Sequence, residues 1–230
     1  AEKLLKSIYD YLLAELGIEV PEEDKSLKNR VFKTSFNHLT GTRFDPSFFF
    51  FDKISFSSKY PVERMKELVF IKKGQSITSS SVEEGSYPVI AGGQSSPYSH
   101  SDYNYEGNVI TISASGAYSG FVWYHESPIF ASDCSVIFSR NEKKLSTEFH
   151  YWVLKSIQNE IYKLQQGAAQ PHVYPEDLRK IEIPVPGTDK QNEILTEVRN
   201  RKKNSEKLHL DAQQEIELAR NKIEEIILNK

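Results

Sequence analysis

The sequence predicts an α+β fold: a β-rich body with packed helices, and a long projecting C-terminal helix that forms an antiparallel coiled coil. Three observations lead to this fold class. Between residues 74 and 138, short runs rich in Val, Ile, Tyr and Phe alternate with Gly, Ser and Asn clusters, as in a body of short strands. The segment 148–164 repeats apolar residues with helical spacing, and the segment 188–229 contains neither proline nor glycine. These segments favour a division into three domains, at 1–30, 31–187 and 188–230.

Composition limits the function classes open to this chain. Of its 230 residues, 38% are hydrophobic and 27% are charged, which suits one sizeable core with an appendage. No apolar run approaches the roughly 20 residues that span a bilayer, and no export signal is visible. The single cysteine, Cys134, excludes an internal disulfide and fits a reducing compartment. We therefore expect a cytoplasmic protein without a membrane segment.

The charge distribution argues against indiscriminate binding to nucleic acid. The net charge is −3, and the three predicted domains carry −2, −1 and 0 in chain order. No domain is a basic tail. Binding to DNA would therefore require a localised basic face, with a partner supplying part of the phosphate contact.

The first residues predict an amphipathic helix. Apolar residues recur with helical spacing from Leu4 to Leu16, and Gly17 is suited to end the helix as its C-cap. Residues 18–30 contain Pro21 and many charged side chains, which predict a solvated linker.

The body opens with the aromatic-rich segment Val31–Phe51, whose rings we expect mostly in the core. Tyr60–Lys73 predicts a short helix or turn followed by a strand at Val69–Ile71. Residues 59–73 carry a local charge of +3, which either a solvated face or phosphate contact explains. The candidates for contact with a DNA backbone are Arg43, Arg64, Lys72 and Lys73.

Four further strands are predicted, and the loops between them have an unusual composition. The strands are expected at Tyr87–Ile90, Asn108–Ser113, Phe121–Tyr124 and Ser135–Phe138. The loops AGGQSSPYSHSDYNYEG and SASGAYSG, and a later loop QQGAAQPH, contain almost no Lys or Arg. Plain turn chemistry explains any one of them. Taken together, their small, hydroxyl, amide and tyrosine side chains are the groups that recognise base edges.

These three loops supply the candidates for contact with DNA bases. They are Gly92, Gly93, Gln94, Ser95, Ser96, Tyr98, Ser113, Ser115, Gly116, Tyr118, Gln166, Ala168, Gln170 and His172.

The sequence after the strands predicts helices and one edge strand. Glu148–Leu164 has an apolar helical face that should pack on the sheet. Pro175 begins a short helical turn, and Ile181–Val185 alternates as an edge strand does. Thr188 is predicted to cap the long helix, with Gln191 completing a capping box.

The long helix should extend about 60 Å, which is too long to lie on so small a body. We expect it to project and to pair in antiparallel fashion with Glu2–Leu16, of its own chain or of a second copy. The predicted interface residues are Leu5, Ile8, Leu12, Ile194, Val198, Leu208, Ile216 and Ile223.

Motifs of catalysis and metal binding are not apparent in the sequence. The six histidines lack metal-site spacing. No nucleophile elbow, phosphate-binding loop or dinucleotide-binding fingerprint is present. We therefore expect neither catalytic nor metal-binding residues in this chain.

Several segments, in this order, resemble the specificity subunit of Type I restriction-modification systems. They are RFDPSFF, GSYPVIAGG, GNVITISASGAYSGFVWY, FASDCSVIF and QQGAAQPHVYPEDLRKIEIPVPGTDKQNEI, followed by the long terminal helix, and they cover residues 43–230. The earlier segment IYDYLLAELGI resembles the end of that family's central helical region.

The resemblance implies a single target-recognition domain that recognises one half of a bipartite DNA target, between conserved spacer helices. The chain would be either the C-terminal half of a two-domain subunit or a natural half-subunit that forms a homodimer through its long helix. The starting segment favours the first. The resemblance implies no catalysis by this chain and no cofactor of its own. Modification subunits would bring S-adenosylmethionine, and restriction subunits would bring ATP and Mg.

Two other function classes remain open at this point. One is the recognition domain of a fused restriction-methyltransferase enzyme. The other is a helical scaffold whose body binds protein instead of DNA.

Overall fold

The computed structural model describes residues 2–19, 33, 35, 58–96, 98–167 and 169–228. Its helices are α1 (Glu2–Leu16), α2 (Met65–Leu68), α3 (Thr147–Ser156), α4 (Gln158–Tyr162), α5 (Pro175–Leu178) and α6 (Thr188–Leu228). Its strands are β1 (Val62–Arg64), β2 (Val69–Lys73), β3 (Tyr87–Ile90), β4 (Ser99–His100), β5 (Val109–Ser113), β6 (Val122–His125), β7 (Phe130–Ala131), β8 (Cys134–Ser139) and β9 (Glu182–Pro184).

The body is organised around a four-stranded antiparallel sheet with the order β2-β8-β5-β6. All five residues of β5 are buried, because both faces of the sheet are covered. Ile110 and Ile112 face a large core that includes Phe149 of α3 and Leu12 of α1. Val109, on the other face, belongs to a smaller core beneath β3 and β7. The predicted combination of a β-rich body with packed helices is confirmed.

Two smaller ladders complete the sheets. One is a three-stranded sheet with the order β4-β3-β7. Its strands β3 and β7 are parallel, and Val89 lies opposite Phe130. The strands β1 and β9 form a separate antiparallel pair. The sequence analysis missed β1, β4 and β7, which are only two or three residues long. Such short strands are defined by their pairing partners and not by a periodic pattern.

The single helix predicted over Glu148–Leu164 is wrong, because the chain breaks between α3 and α4 at Ile157. The break brings the Gln158 amide against the β5–β6 connection. Its oxygen accepts from the Val122 N–H at 2.9 Å, and its nitrogen donates to the Gly120 carbonyl at 2.8 Å. Tertiary hydrogen bonds therefore override the helical periodicity of this segment.

The predicted capping box at the start of α6 also does not form. Thr188 lies inside the helix, and its hydroxyl donates to the Lys143 carbonyl at 2.7 Å. The buried Gln191 amide accepts from the Ser146 N–H at 2.9 Å and donates to the carbonyls of Lys144 and Pro186, both at 2.8 Å. Both side chains thus anchor the helix to the body.

The helix α1 packs in antiparallel orientation against the first part of α6 of the same chain, as the coiled-coil prediction requires. Lys190 pairs with Glu15 at 2.6 Å, and Arg201 donates to the Ser7 carbonyl at 2.9 Å. As predicted, α1 ends at Gly17, whose φ of 67° suits glycine. The buried residues of this seam are Ile8, Leu12, Leu16, Ile194, Leu195 and Val198.

Other predictions fall on residues whose structure is not described. The linker beyond residue 19, most of Val31–Phe51, including Arg43, and the side chain of Leu5 lie outside the described part of the chain. Within that part, no helix is both long enough and apolar enough to cross a membrane.

Candidate nucleic-acid interface

One end of the central sheet gathers the predicted loops. Ser113 pairs with Cys134 and Lys73 pairs with Ser135, so β2 and β5 end where β8 begins. The connections that follow β5 and β7 therefore meet at this end of the sheet. The Ala114 N–H donates to the Asp133 carbonyl at 3.1 Å and joins the two connections.

The loop at 165–173 joins the same cluster. Ser115 forms a β-bridge with His172, and the Gly116 N–H donates to the Pro171 carbonyl at 3.0 Å. The Val173 N–H donates to the Ala114 carbonyl, also at 3.0 Å. Main-chain hydrogen bonds thus fix the relative position of two of the three predicted loops.

The third loop, which follows β3, approaches the β5–β6 loop closely at Gly92. A Cβ atom on Gly92 would lie 2.6 Å from the Ser115 carbonyl oxygen, so no larger residue fits there without displacing the backbone. Ser113, which is buried, donates weakly to the carbonyls of Ala91 and Gly93, at 3.4 Å each. In this arrangement Ser113 supports the β3–β4 loop and does not face solvent.

The predicted loop QQGAAQPH is a tight hairpin. Gln166 and His172 exchange two main-chain hydrogen bonds of 2.8 Å, and Gly167 adopts a φ of 98°. The Gln166 amide donates to the Asp177 carboxylate at 2.7 Å and so holds the hairpin in place. Gly167 and Gln170 are exposed at the tip, while Ala168 lies outside the described residues.

A cleft of about 220 Å³ lies between the end of β2, the connections that follow β5 and β7, and residues 172–175. Its walls include Lys73, Asp133, His172 and Tyr174. The rings of His172 and Tyr174 stack with centroids 6.0 Å apart. Sequence reasoning missed Asp133 and Tyr174; the available signal was their position directly beside predicted strands and loops.

The remaining base-contact candidates differ in their exposure. Gln94 and Ser95 are exposed, and Tyr118 is 48% exposed. Ser96 donates to the carbonyls of Val89 and Tyr98, at 2.9 and 2.7 Å, which stabilises its own turn. Tyr98 itself, 49% exposed, lines a separate depression.

The basic candidates do not form one patch in the described structure. Successive side chains of a strand point to opposite faces, so Lys72 and Lys73 diverge. The Lys72 ammonium lies 5.4 Å from the centroid of the Phe138 ring, whereas Lys73 lines the cleft. Arg64 lies on β1 and approaches Glu182 at 3.9 Å.

Burial favours the neutral forms of two histidines and of the cysteine inside the body. Burial lowers the pKa of His125 to about 4 and that of His150 to about 3. Burial also raises the pKa of the Cys134 thiol to about 12, which disfavours the nucleophilic thiolate. Among the described residues, no cluster of His, Cys, Asp and Glu has the arrangement of a metal site.

Comparison with known proteins gives one family and one fold. The model of the Type I restriction modification DNA specificity domain matches residues 58–218. No curated protein matches the chain at a significant level.

Three solved structures resemble the chain. The Type-I restriction-modification system S subunit from M. genitalium is 23% identical, with a TM-score of 0.54 over 62% of this chain and 38% of that one. The HsdS subunit from Thermoanaerobacter tengcongensis is 16% identical, with a TM-score of 0.54 over 88% and 44%. A chain from a study of complex assembly and conformational transition of the type I R-M system is 17% identical, with a TM-score of 0.55 over 95% and 51%. At these identities the likeness concerns the fold alone, and this chain spans about half or less of each solved chain.

Proposed function

The chain belongs to the family of Type I restriction modification DNA specificity domains, and from this premise we propose that it recognises a short sequence in duplex DNA through the cleft at the end of its central sheet. The observation that carries the proposal is the convergence of the polar loops. Main-chain hydrogen bonds and the close approach at Gly92 bring residues 91–96, 114–120 and 165–173 together. A rigid, mostly uncharged surface of amides, hydroxyls and rings suits recognition of base edges.

Lys73 is the residue best placed to contact a DNA phosphate beside this surface. Its ammonium forms no ion pair or hydrogen bond within the described residues, and it lines the same cleft as His172. A cation without a partner among the described residues can attract the DNA backbone without selecting a sequence. Gln94 and Tyr118, which are exposed on the loops, are suited to sequence selection.

We further propose that this domain recognises one half of a bipartite target. The solved relatives are about twice as long as the matched region, which supports a second recognition domain in the same polypeptide or in a second copy. The helices α1 and α6 would set the distance between the two half-sites and bind the modification subunits. S-adenosylmethionine, ATP and Mg would be bound by partner subunits, and this chain would catalyse no reaction.

The proposal is tested by selecting bound sequences from a random duplex library at low salt. The selection is run once with the chain alone and once with modification subunits added. We expect one short enriched sequence. Lys73→Ala should weaken binding to all sequences alike. It should also reduce the slope of log binding constant against log salt concentration by about one. Gln94→Ala should change the enriched sequence instead. Lys143→Ala, at an exposed position after β8 and outside α1 and α6, is the matched control for lost charge.

Three results would contradict the proposal. Selection that enriches no sequence under either condition would support a protein-binding scaffold. A change of sequence preference in Lys73→Ala would reverse the assigned roles. Transfer of a labelled methyl group from S-adenosylmethionine by the isolated chain would support a fused enzyme.

A further inference from the structure

The cleft contains an exposed carboxylate that phosphate binding does not explain. Asp133 follows β7, and its main-chain carbonyl accepts from the Ala114 N–H at 3.1 Å. One carboxylate oxygen, Oδ2, accepts a hydrogen bond from the Ser115 hydroxyl. The same oxygen lies 3.5 Å from the position that a Cβ atom on Gly92 would occupy. Asp133 is therefore held at the point where the β3–β4 and β5–β6 loops meet.

Only one of the two carboxylate oxygens is engaged. Among the described residues, Oδ1 has no hydrogen-bond donor, and no ion pair joins Asp133 to Lys73. An ionised carboxylate only accepts hydrogen bonds. Next to the phosphates of DNA it is repelled, so its place in the cleft is unfavourable unless the bound DNA offers a donor.

The major groove offers few such donors. Each base pair presents one exocyclic amino group there, N4 of cytosine or N6 of adenine, while guanine O6 and thymine O4 are acceptors. An acceptor at a fixed position over one strand therefore distinguishes cytosine and adenine from guanine and thymine. The two acceptor bases would place a carbonyl oxygen against the carboxylate.

We propose that Asp133 selects, at one position of the half-site, a base with an exocyclic amino group on the strand that it faces. This inference rests on the proposed function of the cleft and names one determinant of its specificity. Ser115 is a positioning residue, because its hydroxyl donates to Oδ2 and so restrains the carboxylate of Asp133. Gly92 is a second positioning residue, since a side chain there would separate the two loops.

The test is the same duplex selection, made with the full chain and with modification subunits, comparing Asp133→Asn with the unaltered protein. Asn is similar in shape but places a donor amide where one carboxylate oxygen was. We expect one position of the enriched sequence to be restricted to cytosine or adenine and to lose about 10-fold or more of its preference in the variant. The other positions should be unchanged. Ser115→Ala should weaken the same position to a smaller extent.

Glu126→Gln is the matched control, because it removes the same charge from an exposed position after β6, at the end of the sheet opposite the cleft. It should leave every position unchanged. Circular dichroism of each variant verifies folding; if Asp133→Asn does not fold, Ser115→Ala carries the test.

The outcomes separate this inference from the function on which it rests. If the unaltered chain enriches a sequence and Asp133→Asn enriches it with equal preference at every position, the inference is wrong and the function stands. A uniform loss of binding in a folded Asp133→Asn protein would assign Asp133 a structural role and also overturn the inference. If no sequence is enriched by the unaltered chain, both proposals fail.

Discussion

The two parts of the helix α6 have similar apolar patterns and opposite environments. In its first part, up to Ser205, Ile194 and Val198 are fully buried. In the second part, Ile216 is 54% exposed and Ile223 is 57% exposed. Apolar spacing therefore indicates which helix face can be covered, but does not indicate where along the helix a partner is present.

The length of the partner explains the difference. The helix α1 has 15 residues and α6 has 41, which correspond to about 22 and 60 Å. Packed from Glu15 beside Lys190 to Ser7 beside Arg201, α1 covers only the first part of α6. At Leu208, Ile216 and Ile223 the predicted pairing with α1 of the same chain does not form, since these side chains are more than half exposed, and pairing with a second copy stays a prediction.

The largest expected effect is the loss of buried apolar volume in the first part. Ile194→Ala should lower the free energy of unfolding by about 2 to 5 kcal/mol, because the side chain is fully buried. Ile216→Ala, the matched control, should change the monomer by less than about 0.5 kcal/mol. Urea unfolding followed by circular dichroism measures both, at a concentration where sedimentation finds the monomer. Equal losses of stability in Ile194→Ala and Ile216→Ala would contradict the difference between the two parts of α6.

A smaller effect is expected from the buried amide that anchors α6. Gln191→Ala removes hydrogen bonds to Ser146, Lys144 and Pro186 and leaves these main-chain groups without a partner. The expected loss is about 1 to 3 kcal/mol. Gln214→Ala, at an exposed position of the same helix, should be neutral. The same unfolding measurement applies, and a neutral Gln191→Ala would show that the anchor contributes nothing.

The smallest effect at neutral pH comes from His150, whose two ring nitrogens are buried and form no hydrogen bond with any described residue. Burial lowers its pKa to about 3 from the usual 6.5. Below pH 6.5 the unfolded chain binds a proton that the folded chain does not, so stability should fall as the pH falls toward 3. The slope should be about 1.4 kcal/mol per pH unit for this group.

Replacement of the histidine isolates its share of the pH dependence. His150→Leu should reduce the slope between pH 6.5 and 4, while the buried His125, with a pKa of about 4, keeps part of it. The free energy of unfolding, measured from pH 6.5 to 4, tests this prediction. An unaltered slope in His150→Leu would show that His150 is protonated in the folded state.

Among the described strands, sequence patterns predicted those of four or more residues and missed most of those with two or three. The strand predicted at Tyr87–Ile90 has the observed bounds, whereas Thr188, predicted as the N-cap of α6, is the first residue of the helix. The break at Ile157 and the strands β1, β4 and β7 were missed, because contacts with distant segments define them. The domain boundaries at 30 and 187 stay predictions.

In the candidate site, too, some features were visible in the sequence and others depended on contacts between distant segments. Loop composition alone indicated Gln94, Ser115 and His172, since small polar side chains in turns are visible in the sequence. The involvement of Asp133 followed only from the meeting of three connections at one end of the sheet. The sequence analysis also did not show that Lys72 and Lys73 diverge, because the predicted strand ended at Ile71 whereas β2 continues to Lys73.

By itself, the sequence determined the fold class, the family and the loops rich in small polar side chains, because periodicity, turn residues and motifs can be read from the linear chain. The tertiary structure decided which loops meet, which side chains remain free in the cleft and how much of α6 is covered. These depend on strand register and on contacts between residues far apart in the chain, and a linear pattern does not specify such contacts.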